Sequence, residues 1–279
     1  MIKFIVLCFL QLFLALTANA QQSIATNDGN SFTTLVNGKT VDVFKSTNPG
    51  KNPTILYIPG CNGLDNFGTK YQLYHVKKFK EIWPEANFVI TQFINDITQN
   101  QTGGRCDWDA KKTNETNSNS HQQARYVVGL AEWIKQQSWS SDEVHLFGFS
   151  WGGRVGLWLP SDKIGKQDLF KSVALIWPAC GKDMQFDAGK LHTPVKIWST
   201  EKDPLSVPAN CINFYSNTEL FSVKLYPGET HSWFTGPFFQ PYYRWWPVQR
   251  VRVRHEFNED WANETFVEWK SWALSLSAK

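Results

Sequence analysis

The chain has 279 residues, of which 42% are hydrophobic and 19% are charged, so it can bury the core of one sizeable domain and is not a disordered polypeptide. Its formal net charge is only +3, and the basic and acidic residues are scattered along the sequence. This excludes the concentrated positive charge that nucleic-acid-binding domains carry, and we expect no nucleic-acid partner.

The first twenty residues have the pattern of a secretory signal peptide. Lys3 supplies a positive start, residues 4–16 are almost entirely apolar, and Ala18-Asn19-Ala20 is a small-residue cleavage site. The apolar run is too short to span a bilayer. We therefore expect a secreted or periplasmic protein without stable membrane insertion after cleavage; the alternative is an uncleaved N-terminal anchor. Residues 21–279 are predicted to form a single domain.

Export changes how the cysteines are interpreted. Cys8 would leave with the signal peptide, and an even number then remains in an oxidising compartment: Cys61, Cys106, Cys180 and Cys211. This composition favours two disulfides, although four cysteines allow three pairings. None of them has the spacing of a zinc site, so we expect no metal.

In chain order, the pattern predicts a hairpin followed by alternating strands and helices. Asn37-Gly38 is a strong hairpin turn between two alternating runs, 32–36 and 40–44. Short apolar runs then predict strands at 54–58, 87–93, 144–149, 172–177, 195–200 and 222–226, and helical periodicity covers 121–137, 153–159 and 258–277. This alternation indicates an α/β domain with a mainly parallel, doubly wound sheet and helices on both faces.

One polar stretch interrupts the alternation. Residues 95–120 are rich in Asn, Thr, Ser and Gly, and a loop this long in a compact domain is usually functional or mobile. Glycosylation sequons begin at Asn100, Asn114 and Asn263, and they matter only in a eukaryotic host.

The motif Gly148-Phe149-Ser150-Trp151-Gly152 directly follows a predicted strand and precedes a predicted helix. This is the context of a nucleophile elbow, where the glycines allow a serine to sit in a sharp, strained turn. We therefore predict that Ser150 is the nucleophile of a serine hydrolase. A glycine-rich strand end without catalytic use is the alternative.

A serine nucleophile needs a general base that is oriented by a carboxylate. In the order typical of this strand–turn–helix context, the acid and then the histidine follow later strands. Asp203 lies in the turn after strand 195–200, and His231 lies in the loop after strand 222–226. Glu201 is the alternative acid. The other histidines, at positions 75, 121, 145, 192 and 255, are interpreted as surface or core residues.

The oxyanion of the reaction needs two backbone N–H donors. One is predicted to come from Trp151, the residue after the nucleophile, and the other from Cys61, in the glycine-containing loop after strand 54–58. Asn62 of that loop and Trp233, near the predicted base, are candidates for the substrate pocket.

These motifs resemble the dienelactone hydrolase family, a branch of the α/β-hydrolases, over residues 54–231. The resemblance is carried by the segments 59–63 (PGCNG), 148–153 (GFSWGG), 201–204 (EKDP) and 226–234 (YPGETHSWF). It implies an α/β-hydrolase fold with Ser150, Asp203 and His231 as the triad.

The sequence departs from the enzymes that gave the family its name. Those enzymes have a cysteine nucleophile where this chain has Ser150, and a glutamate where it has Gly60. The chain is more similar to an exported serine-type branch with a cysteine in the first oxyanion loop. That likeness implies the disulfides Cys61–Cys106 and Cys180–Cys211.

Aromatic residues crowd positions 233–246, after the predicted base. They could form a wall or lid for an acyl group or sugar, or they could pack beneath the C-terminal helix. Residues 250–254 alternate Arg and Val, which predicts an exposed edge strand with its three arginines on one face.

Taken together, these features predict an exported hydrolase that cleaves a carboxylic ester or lactone through an acyl-enzyme, with no cofactor and a small-molecule substrate. A peptidase or lipase on the same fold and a non-catalytic ligand-binding relative are the alternatives. The oligomeric state is not indicated by the sequence.

Overall fold

The computed structural model describes Ala25 and residues 29–60, 66–91, 119–180, 189–238, 240–246 and 250–278. Several predicted features lie outside these residues: the signal peptide at 1–20, Cys61, Asn62, Cys106, the sequons at Asn100 and Asn114, and most of the polar stretch 95–120. Within the described residues, no helix combines the length and apolarity needed to cross a membrane.

The elements form one large sheet, a separate two-stranded ribbon and five helices among the described residues. The strands of the large sheet are β1 (Ser31–Val36), β2 (Lys39–Phe44), β3 (Asn52–Ile58), β4 (Asn87–Thr91), β5 (Ser140–Phe149), β6 (Ser172–Ile176), β7 (Val195–Thr200) and β8 (Phe221–Tyr226). The ribbon consists of β9 (Tyr242–Trp246) and β10 (Val251–His255). The helices are α1 (Asn66–Ile82), α2 (Asn119–Lys135), α3 (Trp151–Gly156), α4 (Pro208–Ile212) and α5 (Glu259–Ser277).

The large sheet has the order β1-β2-β4-β3-β5-β6-β7-β8. β1 and β2 form the predicted hairpin, and Asn37 (φ 51°) and Gly38 (φ 75°) adopt the left-handed conformations that a tight hairpin turn requires. β2 pairs antiparallel with β4, whereas the six strands from β3 to β8 run parallel. The predicted doubly wound, mainly parallel sheet is therefore confirmed.

Each face of the sheet is covered by helices and holds its own core. On one face, α2 and α3 pack on aliphatic strand residues such as Leu146 and Leu175. On the other, α1 and α5 cover a core rich in aromatic rings, in which Phe79 lies between Phe147 and Trp269. Because both faces are buried, the central strands are apolar at successive positions instead of alternating.

Several predicted boundaries shift in the structure. α3 begins at Trp151, two residues earlier than predicted, and ends at Gly156. β6 ends at Ile176 because Trp177 has a left-handed backbone (φ 32°), which cannot continue a strand. α5 begins at Glu259, and its N-cap Asn258 accepts a hydrogen bond from the backbone N–H of Trp261.

The arginine-rich strip is only partly as predicted. Arg252 and Arg254 lie on β10, but Arg250 is in the preceding turn (φ 53°) and does not share their strand face. β10 pairs with β9 and not with the large sheet. The aromatic residues 242–246 therefore form a strand that the sequence analysis did not predict.

Candidate active site

Ser150 lies in a sharp turn between β5, a central strand, and α3. Its backbone has φ 52° and ψ −117°, a conformation that a residue with a side chain rarely adopts. The turn is held from both sides, since the Ser150 N–H donates to the Ile176 carbonyl (2.9 Å) and the Ser150 carbonyl accepts from Ala179 N–H (3.1 Å). The strain is thus enforced by the neighbouring strand β6 and the residues that follow it.

The glycines around Ser150 are required by close backbone approach. A Cβ on Gly152 would lie 2.2 Å from the Ile58 carbonyl oxygen, and a Cβ on Gly148 would lie 2.7 Å from the Gly152 oxygen. A Cβ on Gly60 would lie 2.9 Å from the Phe149 ring and 3.3 Å from Ser150 Cβ. The loop after β3 therefore approaches the turn closely, and a side chain at position 60 would require the Phe149 ring to shift.

Ser150, His231 and Asp203 form a continuous chain of hydrogen bonds. Ser150 Oγ lies 3.1 Å from His231 Nε2, and His231 Nδ1 lies 2.6 Å from Asp203 Oδ2. A carboxylate can only accept, so Nδ1 carries the ring proton and the lone pair of Nε2 faces the serine hydroxyl. His231 and Asp203 are both buried, which shields this chain from water.

Asp203, and not Glu201, is the acid that reaches the histidine. Glu201 is exposed, whereas Asp203 is buried and its second oxygen, Oδ1, accepts from Leu205 N–H (2.9 Å). The disulfide Cys180–Cys211 anchors this region, as the resemblance implies. The Asp203 loop is also joined to the segment after β6 by the bridge between Cys180 and Ser206.

The loop that carries His231 is fastened to β10. The His231 N–H donates to the Arg254 carbonyl (2.9 Å), and Thr230 Oγ1 both donates to the Glu256 carbonyl (3.1 Å) and accepts from its N–H (3.0 Å). One residue after His231, the Ser232 hydroxyl lies 2.6 Å from His255 Nδ1. The ribbon is therefore part of the framework that positions His231.

A cavity of about 60 Å³ opens beside Ser150 and His231. Gly60, Phe149 and Trp177 line it from the sheet, and Tyr71 from α1. The inner face of the ribbon forms the opposite wall with Tyr242, Arg244, Trp246 and His255. The aromatic segment thus supplies a wall of the cavity, which was one of the two interpretations of its sequence.

Trp233 is not a pocket residue, contrary to the prediction. It is fully buried and packs against Trp177 and Tyr226, with ring centroids 5.2 and 4.9 Å away. Trp151 also points its side chain into the core, where its indole N–H donates to Gln123 Oε1 (2.7 Å). Proximity in sequence to the functional residues therefore did not indicate which tryptophan faces the cavity.

His255 was interpreted as a surface or core histidine and not as the base; it is buried and hydrogen-bonded to Ser232, and its position beside the cavity was not predicted. It lies on β10, lines the cavity and stacks on Tyr242, with ring centroids 4.8 Å apart. Burial, together with the nearby His231 and Arg244, lowers the pKa of His255 to about 3. Its ring is therefore neutral at physiological pH. The alternating pattern of 250–254 was the one signal that could have placed it on a buried strand face.

Arg244 is the one permanently charged side chain among the described residues that line the cavity. Its guanidinium lies 5.1 Å from the centre of the Trp246 ring, and no carboxylate within the described residues forms an ion pair with it. Arg254 differs, since it pairs with Glu256 at 2.8 Å on the outer face of the ribbon. Arg244 therefore places a positive charge beside the described part of the cavity.

Of the two predicted oxyanion donors, only Trp151 is described. As the first residue of α3, it lies where backbone N–H groups have no partner within the helix. Within the described ranges, no group of three His, Cys, Asp or Glu residues could hold a metal ion.

Comparisons with known proteins give matches at the level of structure. No protein-family model matches the sequence, and no curated protein does. A candidate dienelactone hydrolase from Klebsiella pneumoniae is similar over 88% of this chain and 97% of its own, with 13% identity and a TM-score of 0.61. An esterase from Pyrobaculum calidifontis is similar over 89% and 85%, with 11% identity and a TM-score of 0.59.

Esterase 2 from Thermogutta terrifontis, phosphoramylated by tabun, is similar over 88% of this chain and 94% of its own, with 8% identity and a TM-score of 0.54. At such identities the likeness establishes the fold, and the chain has the α/β-hydrolase fold. Function must be argued from the site itself.

Proposed function

We propose that this protein is a serine esterase that cleaves carboxylic ester bonds through a covalent acyl-enzyme. The observation that carries the proposal is the hydrogen-bond chain from Ser150 Oγ to His231 Nε2 (3.1 Å) and from His231 Nδ1 to Asp203 Oδ2 (2.6 Å) beside a cavity. A buried, oriented histidine next to a strained serine is the arrangement that nucleophilic acyl transfer needs.

In the first half of the reaction, Ser150 Oγ attacks the ester carbonyl and His231 Nε2 takes the hydroxyl proton. Asp203 holds the ring in the tautomer that makes this transfer productive and stabilises the imidazolium that forms. The tetrahedral intermediate collapses, the alcohol leaves with the proton from His231, and the acyl group stays on Ser150. Water then repeats the sequence, which releases the acid and restores the serine.

The negative oxygen of the intermediate needs donors that are already in place. We assign this role to the backbone N–H groups of Trp151 and Cys61. The position of Trp151 at the start of α3 supports the first assignment. The close approach of Gly60 to Ser150 supports the second, because it brings the loop after β3 to the nucleophile.

The test uses a fluorophosphonate probe, which reacts with an activated serine. The modified Thermogutta terrifontis esterase is a structural precedent for phosphorus reagents on this fold. Wild type should be labelled, whereas Ser150→Ala and His231→Ala should not, with tryptophan fluorescence confirming that both variants are folded. Ser271→Ala, on the exposed side of α5, is the matched control and should label like wild type. A folded wild-type protein that remains unlabelled and leaves p-nitrophenyl acetate intact would contradict the proposal.

We also propose that the protein is exported, with the signal peptide removed after Ala20. The N-terminal pattern and the disulfide Cys180–Cys211 support this, because disulfides persist in oxidising compartments. Fractionation of expressing cells, followed by N-terminal mass analysis, should find a mature chain that begins at Gln21. A cytosolic chain that retains Met1 would argue against export.

A further inference from the structure

We propose that the β9–β10 ribbon limits the site to esters with short acyl groups, of about two to four carbons, and that Trp246 and Tyr242 set this limit. The inference rests on the proposed esterase function and names the substrate class of the same site. It is carried by the size of the cavity and by the elements that close it.

The cavity beside Ser150 measures about 60 Å³. One water-sized group takes up about 10–15 Å³ of such a cavity, so roughly four to six groups of this size fit, which is enough for the heavy atoms of an acetyl to a butyryl group. Sites that enclose larger ligands measure about 300 Å³ or more. A long acyl chain would therefore have to leave the cavity instead of being buried in it.

The acyl part of the substrate, and not the alcohol, is the part that must fit. During deacylation the acyl group remains bonded to Ser150 while the alcohol has already departed. The space directly beside Ser150 and His231 is thus occupied by the acyl group through the second half of the reaction. The alcohol needs only a route to solvent after it receives its proton from His231.

The inner face of the ribbon lines one side of this space. Successive side chains of a strand point to opposite faces, so Tyr242 and Trp246 line the cavity while Tyr243 and Trp245 face solvent. The exposed fractions of the tryptophan pair agree with this alternation, since Trp245 is 58% exposed and Trp246 is partly buried; Tyr242, at the start of the strand, lines the cavity and is also 40% exposed.

The ribbon is anchored firmly enough to act as a fixed wall. Val253 of β10 is fully buried, Tyr242 stacks on His255, and β10 is hydrogen-bonded to the His231 loop through Arg254. Moving the ribbon away to admit a longer chain would break the bond that positions His231. Accommodation of a long acyl group therefore conflicts with catalysis.

The experiment measures kcat/KM for p-nitrophenyl esters from acetate to octanoate. Each methylene buried in an open apolar groove would raise kcat/KM about fourfold. For wild type we expect no such rise beyond butyrate. From butyrate to octanoate, kcat/KM should fall by at least about tenfold, because a chain outside the cavity gains no burial and clashes with the ribbon. Trp246→Ala should raise the octanoate-to-acetate ratio by about tenfold or more, which two added methylenes would supply.

The chain offers matched controls on the same strand. Trp245→Ala removes an equal side chain from the solvent face and should leave the ratio within about twofold of wild type. Tyr242→Ala and Tyr243→Ala form a second inner and outer pair, in case Trp246→Ala does not fold.

Three results would overturn the inference. The first is a wild-type kcat/KM that rises steadily from acetate to octanoate. The second is an equal change in the octanoate-to-acetate ratio in the inner and outer variants. The third is an inner variant that changes the preference among acetates of different alcohols and leaves the preference for acyl length unchanged. In each case the serine would still hydrolyse esters, so the esterase proposal would stand. Absence of both hydrolysis and probe labelling would remove the two proposals together.

Discussion

His75, a buried residue of α1, makes the stability of the fold depend on pH. Its Nδ1 lies 2.5 Å from the Tyr57 hydroxyl, and its Nε2 lies 2.9 Å from the carbonyl of Phe234, three residues beyond His231. The carbonyl only accepts, so Nε2 carries the proton and Nδ1 accepts from Tyr57. Burial lowers the pKa of His75 to about 4, although the bond to Phe234 opposes this shift.

The size of the effect follows from the difference between the pKa of His75 in the folded and in the unfolded state. A histidine in the unfolded chain has a pKa of about 6.5, so this difference in pKa corresponds to roughly 3 kcal/mol. Above about pH 6.5 both states are neutral and the stabilisation is complete. As the pH falls from about 6.5 to about 4, His75 becomes protonated in the unfolded chain but stays neutral in the folded protein, and the free energy of unfolding therefore decreases.

The perturbation that isolates this effect is His75→Gln, which keeps an N–H donor toward Phe234 and cannot be charged. Urea unfolding, followed by the fluorescence of the 14 tryptophans, gives the free energy of unfolding at each pH. At about pH 7.5 the variant should be less stable by roughly 1–3 kcal/mol because one hydrogen-bond partner is placed less well. Toward about pH 4.5 the difference should shrink by roughly 2–3 kcal/mol.

The contributions of other titrating groups to the pH dependence of stability cancel in this comparison. Burial also lowers the pKa of His145 to about 4 and that of His255 to about 3, but both residues are present in wild type and variant. Leu73→Gln, at an exposed position of the same helix, should keep the pH dependence of wild type. A difference between wild type and His75→Gln that is the same at every pH would refute the reasoning, because it would mean that folded His75 accepts a proton freely.

Three further outcomes follow from the site. Asp203→Asn should lower kcat on p-nitrophenyl acetate about 10⁴-fold, because it disturbs the tautomer of His231. Glu201→Gln should keep a kcat near that of wild type, and equal losses in the two variants would contradict the choice of acid. Gly152→Ala should abolish activity and lower the free energy of unfolding by about 1–3 kcal/mol, because the added Cβ would lie 2.2 Å from the Ile58 oxygen. A fully active and equally stable variant would contradict the close packing of the turn. Arg244→Met should lower kcat/KM for the p-nitrophenyl half-ester of succinate about tenfold relative to the butyrate ester, because the cavity loses its positive charge. If the ratio of the two kcat/KM values is unchanged, Arg244 does not contact the end of the acyl group.

The main elements of the fold could be predicted because their signals are local. Asn37-Gly38 specifies a hairpin turn, and apolar runs at successive positions specify strands buried on both faces. The positions of Ser150, Asp203 and His231 followed from the same signals, because each comes after a parallel strand and the carboxyl ends of such strands meet at one edge. Their proximity in the structure is a consequence of that topology.

The wall of the cavity could not be predicted in this way. Tyr242 and Trp246 look like their neighbours in an aromatic run, and nothing local distinguishes the residues that face the cavity from those that face solvent. Their direction depends on the pairing of β9 with β10 and on the long-range bonds that fasten β10 to the His231 loop.

The same reason explains the error at Trp233 and the unpredicted position of His255. Trp233 is close to His231 in sequence, but its side chain turns into the core against Trp177. His255 is distant in sequence, yet β10 returns it to the cavity. The sequence by itself determined the strands, the elbow and the order of the three hydrogen-bonded groups, because each is encoded within a few residues. Only the tertiary structure decided which side chains enclose the space beside Ser150, since that depends on contacts between segments far apart in the chain.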